Sequence, residues 1–86
     1  MDLEDAEFLA MVRRATERGW KLKFPRYYKN LRYDLDGIYS YGTRIAELNM
    51  LDKTIRKLGK WSITSTKHYN YAKNLLHTTY GFREVE

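Results

Sequence analysis

The run Trp61-Ser62-Ile63-Thr64-Ser65-Thr66-Lys67-His68 places four hydroxyls, an ammonium and an imidazole within eight residues. Hydroxyl residues cap helices, and the first turn of a helix exposes unpaired N–H groups to which an anion binds. If a helix opens here, Lys67 and His68 lie in its first turn and the segment becomes a candidate phosphate site. The plainer reading is that a Ser or Thr caps the helix, Lys67 is solvated and His68 packs against Tyr41 or Trp61. A cation in the first turn opposes the backbone dipole, and that mismatch favours a ligand-binding role for Lys67. Hydroxyl and imidazole also suggest nucleophilic catalysis, but no carboxylate lies nearby in sequence to orient the base. A small nuclease using His68 therefore ranks last, and no catalytic residue is assigned.

Two further groups are rich in cations. Between Arg18 and Tyr33 lie Lys21, Lys23, Arg26, Tyr27, Tyr28, Lys29 and Arg32. Cations hold phosphates, and aromatic faces stack on unpaired bases, so this mixture suits single strands and loops. Tyrosines of small sheets are commonly half-buried with wet hydroxyls, which is the competing explanation. Lys53, Arg56, Lys57 and Lys60 form the third group, placed where lysines often protect a sheet edge. With no Cys, and His68 and His77 nine residues apart without a third ligand, neither a metal nor a cofactor is expected.

The elements that must position these groups follow from hydrophobic spacing. Phe8, Met11, Val12 and Ala15 recur at helical spacing, predicting a helix over 3–18 that ends at Gly19, with Trp20 folding back onto it. Trp20, Leu22 and Phe24 alternate with lysines until Pro25, and Trp20, Phe24 and Trp61 are expected in the core. Residues 26–37 are a strand or structured loop ending in the turn signal Asp36-Gly37. One long strand is expected over 38–49, with Gly42 at a bulge or a close backbone approach, then a turn at 50–53 and a partner strand over 54–60. A second helix follows over 66–80, with Tyr69, Ala72, Leu76 and Tyr80 on its apolar stripe.

The 86 residues thus form one domain (1–86) of α+β class. It has an N-terminal helix, a short antiparallel sheet of two to four strands within 20–60, and a C-terminal helix. Residues 8–83 carry all sixteen cations and only five acids, a balance that points to an anionic partner. No apolar run approaches the roughly 20 residues of a membrane span, and the absence of cysteine fits a reducing compartment.

Tyr39-Ser40-Tyr41-Gly42-Thr43-Arg44-Ile45-Ala46, followed by Trp61-Ser62-Ile63-Thr64-Ser65-Thr66-Lys67-His68, resembles a family of small uncharacterised phage and prophage proteins. Their pattern is Tyr-Ser-Tyr-x-Thr-x-Ile-Ala, a turn and strand, then aromatic-Ser-x-Thr-Thr-Ser-Lys-His. The likeness covers about residues 38–76, with Thr64-Ser65-Thr66 in place of Thr-Thr-Ser. It implies a phage accessory protein made in the host cytoplasm. Such proteins commonly bind nucleic acid or host machinery, including the nucleases of CRISPR immunity.

The expectation is therefore a non-enzymatic protein that binds nucleic acid or a host nucleoprotein stoichiometrically. Lys67, His68, Arg26, Lys29, Arg32, Arg56 and Lys57 would be its contacts and Tyr27 or Tyr28 its stacking surface. These cations would converge on one positive surface beside the second helix's opening turn. An alternative is an inhibitor or adaptor that grips an acidic host protein without nucleic acid. Self-association through an open sheet edge is a further expectation.

Overall fold

The computed structural model describes residues 3–59 and 62–85, so Lys60 and Trp61 lie outside the described residues. Helix α1 (Leu3–Glu17) buries Phe8, Val12 and Ala15 and leaves Met11 exposed. It ends as its spacing predicts. Gly19 has φ +76°, its N–H donates to Thr16 O, and the Trp20 N–H reaches back to Ala15 O at 2.8 Å. The Trp20 side chain, however, is 60% exposed and is not core. Strand alternation begins only after the left-handed turn, at Leu22, so the indole points outward and the Arg18 guanidinium lies over it.

The sheet has six strands where two to four were expected. They are β1 (Leu22–Lys23), β2 (Leu31–Tyr33), β3 (Gly37–Ser40), β4 (Thr43–Asn49), β5 (Thr54–Lys57) and β6 (Arg83–Val85), adjacent in chain order. The first five run antiparallel, but β6 pairs parallel to β5. A parallel neighbour requires a crossover, and α2 (Ile63–Tyr80) supplies it. Strand β5, which carries Arg56 and Lys57, is consequently internal, not an edge in need of protection.

The expected strand over 38–49 is instead the hairpin β3–β4. Tyr41 and Gly42 form its two-residue tip with φ +52° and +81°, the positive values that a type I′ turn requires. The bulge lies between Ile38 and Tyr39, where the pairing steps from Ala46 to Arg44, and not at Gly42. At Gly37 the backbone of β4 comes so close that an added Cβ would lie 2.3 Å from Ala46 O.

Helix α2 starts three residues before the expected Thr66, because Ser62 is the cap and accepts the Ser65 N–H at 3.3 Å. Gly81 (φ +76°) ends it, and its N–H donates to His77 O. Tyr69, Ala72 and Leu76 face the sheet, as their spacing implies. They pack with Leu31, Ile38, Ile45 and Ile55 into a core that Phe82 and α1's Phe8 and Val12 complete. Phe8 stacks on Tyr80 with ring centroids 3.8 Å apart, so α1 closes the end of the sheet that carries the C-terminus of α2. Among the described residues no helix is long and apolar enough to cross a membrane.

Candidate functional site

Strand register sorts the sheet's side chains onto two faces. Leu22, Tyr33, Ile38, Ala46 and Lys57 form one rung on the α2 face. The neighbouring rung, Lys23, Arg32, Tyr39 and Arg44, points to the opposite face. Beyond it, Glu47, Arg56 and Val85 share that second face, as do Asn49, Thr54 and Arg83. Helix α2 lies on the other face, and α1 borders this one through Leu9 and Arg13, which line a cavity with Arg44, Glu47 and Arg56; Lys23, Arg44, Arg56 and Arg83 are exposed and Arg32 partly so. Its strands thus present five cations and one acid.

Arg44 and Arg56 are held in place. Glu47 accepts from Arg56 at 2.6 Å, a bond that lowers its carboxyl pKa and keeps it ionised. Arg44 donates to Asp36 O at 2.6 Å, and the Lys21 ammonium lies 4.7 Å over the Tyr39 ring. Burial, reinforced by the negative charge of Asp34, raises the Tyr39 pKa, so its hydroxyl stays protonated and can donate.

A second feature lies at the end of the sheet opposite α1. The β1–β2 connection, the tip of the β3–β4 hairpin and the start of α2 enclose an open cavity of about 360 Å³, lined by Tyr27, Tyr28, Lys29, Asn30, Tyr41, Thr64 and His68. His68 is only 2% exposed, and its Nδ1 lies 2.8 Å from Ser40 Oγ, itself 3.1 Å from Ser65 Oγ. The Tyr41 ring stacks on His68 at 5.5 Å, and Tyr27 leans on it at 4.6 Å. Both tyrosines have positive φ, +52° and +59°, a conformation costing about 1–3 kcal/mol for a side-chain-bearing residue. Burial lowers the pKa of His68, so its imidazole is neutral at pH 7.

The sequence-predicted residues divide between these features. Tyr27, Tyr28, Lys29 and His68 come together at the cavity, with Arg26 5.0 Å over the Tyr27 ring. Arg32 links cavity to sheet: it rises from the basic face, and its Nε donates to Tyr28 O at 3.0 Å. Arg56 belongs to the basic face, whereas its neighbour Lys57 points to the α2 side, over Tyr69. Lys67 is exposed on α2, outside the cavity lining.

The expected single surface beside the opening turn of α2 is therefore replaced by a basic sheet face and a separate aromatic cavity. Adjacent strand residues project oppositely, which is why Arg56 and Lys57 part company. Sequence reasoning missed Arg44 and Arg83. Recognising Tyr41-Gly42 as a hairpin tip would have set the alternation of β4 and exposed Arg44. The chain matches no family model, no curated protein and no solved structure with which it was compared.

Proposed function

We propose that the protein is a non-enzymatic binder of nucleic acid, free or within a host nucleoprotein, and that the sheet face opposite α2 lies against the phosphate backbone. The observation carrying this reading is that the strands of that face carry Lys23, Arg32, Arg44 and Arg83 beside one ion pair, Arg56–Glu47, with Asp36 at the border. Arg32, Arg44 and Arg56 are each tied to a neighbour, which lowers the cost of ordering them along a polyanion. The likeness of residues 38–76 to phage proteins extends the proposal to inhibition of a host-defence nucleoprotein.

The test is charge reversal of Lys23, Arg44 and Arg83 to Glu together, with binding to a labelled oligonucleotide followed across salt concentrations. The wild-type protein should lose affinity steeply with salt, and each lost phosphate contact should flatten the log–log slope by about 0.7 for a single strand. An unchanged slope in a variant with an unchanged thermal midpoint would discard the interface.

One observation favours a second reading, capture of a protein. Trp20 is 60% and Met11 43% exposed, and both line a hollow flanked by Arg14 and Arg18. An acidic partner with an apolar anchor would fit there. A host protein that stays attached after nuclease treatment, and is released by Trp20→Ala, would favour this reading over the first.

A further inference from the structure

Three features of the cavity beside His68 remain unused by a backbone-binding sheet. The first is its aromatic lining. Tyr28 and Tyr41 are 54% and 59% exposed and border the same cavity, an uncommon cost for two large rings in so small a protein. The second is polar capacity without internal partners. Ser40 occupies Nδ1 of His68, which leaves Nε2 of a buried ring unpaired, and the Asn30 amide and Thr64 hydroxyl have no side-chain bond among the described residues. The third is conformational: Tyr27 and Tyr41, the two rings that fix His68, both hold positive φ. Strained residues converging on one imidazole mark a preorganised site.

The chemistry of the walls selects the occupant. Flat rings receive a flat ring, and a volume near the lower end of the ~300–1,000 Å³ range of ligand pockets suits one small molecule. A cationic ligand is disfavoured, because Arg26 lies over Tyr27 and Lys29 lines the rim. Asn30 offers both a donor and an acceptor, as the edge of a nucleobase demands, and Lys29 meets an attached phosphate. Arg32 anchors the turn bearing Tyr28 and Lys29 while rising from the basic face, so a strand lying on that face reaches the cavity without leaving cations.

We propose that this cavity holds one unpaired nucleobase of the bound strand, stacked on Tyr41 and Tyr28 with its edge against Asn30 and the free nitrogen of His68. The inference rests on the nucleic-acid reading and narrows it to single strands, because a paired base cannot leave its stack cheaply.

Tyr41→Gly is the decisive variant. Glycine adopts φ +52° freely, which keeps the turn while removing the stacking wall and its contact with His68, and the thermal midpoint is measured alongside binding. The probes are a single-stranded oligonucleotide carrying a fluorescent adenine analogue, the same sequence as a duplex, and adenosine monophosphate followed through the NMR signals of the His68 ring.

The wild-type protein should prefer the single strand and change the analogue's emission. Tyr41→Gly should weaken single-strand binding by about tenfold or more while leaving duplex binding and salt slope intact. Full single-strand affinity and an unchanged emission response in Tyr41→Gly would overturn the proposal. Shifts of the His68 signals with adenosine monophosphate that survive reversal of the sheet-face charges would uphold the cavity even if the sheet failed as an interface. A wild-type protein showing neither shifts nor strand preference would overturn it.

Discussion

At the scale of single residues, His68 couples packing to pH. Its imidazole is enclosed by Tyr27, Tyr41 and Ser40, and burial holds its folded-state pKa below the ordinary value. The sign follows from linkage. A histidine whose folded pKa is depressed contributes stability that is complete above its unfolded pKa, about 6.5, and is lost as pH falls through the lower folded value. The thermal midpoint should decline on acidification below about pH 6.5, and His68→Gln should show a shallower decline. An identical acid profile in that variant would show that another group causes the loss. The hydroxyl-rich run 61–68 singled out His68 but not the residues that enclose it. Its partners Ser40 and Tyr41 come from a hairpin 27–28 residues earlier in the chain, beyond the reach of local spacing.

At the scale of elements, the glycines separate two kinds of constraint. Gly81 closes α2 at φ +76° with open space around it, so Gly81→Ala should cost about 1–2 kcal/mol from conformation alone. Gly37 is limited by proximity: a methyl there meets the Ala46 carbonyl, a backbone atom that cannot swing away. Gly37→Ala should therefore destabilise more than Gly81→Ala when denaturant midpoints are compared at equal m-values. A smaller loss at Gly37 would mean that the hairpin yields easily.

Both helices were legible because capping residues and 3.6-residue spacing are local signals: Gly19 and Gly81 end them where expected. The sheet was less so. Tyr41-Gly42 is not a standard turn dipeptide, and the tyrosine hid a hairpin inside what reads as a continuous strand. Strand β6 contains one apolar residue, Val85, and exists because β5 presents an unpaired edge to it. Tertiary context, more than strand propensity, made both elements.

At the scale of the whole molecule, the division into a face covered by α2 and an opposite cationic face depends on strand order, which no single segment encodes. Composition gives only the expectation of an anionic partner; the register shows which cations look the same way. Chain order also governs integrity. Phe82 is 1% exposed and β6 completes the sheet, so removing residues 82–86 should abolish the cooperative unfolding transition or leave a species that associates through β5. A monomeric, cooperatively folding truncation would show that the last strand is decoration. The parallel pairing of β6 carries a consequence for synthesis as well. The ribosome releases β5 well before β6, and α2 must wind and dock before the returning segment can find its neighbour. During that interval the nascent chain shows a naked strand to its surroundings, and the lysine and arginine of β5 are the charges that guard it.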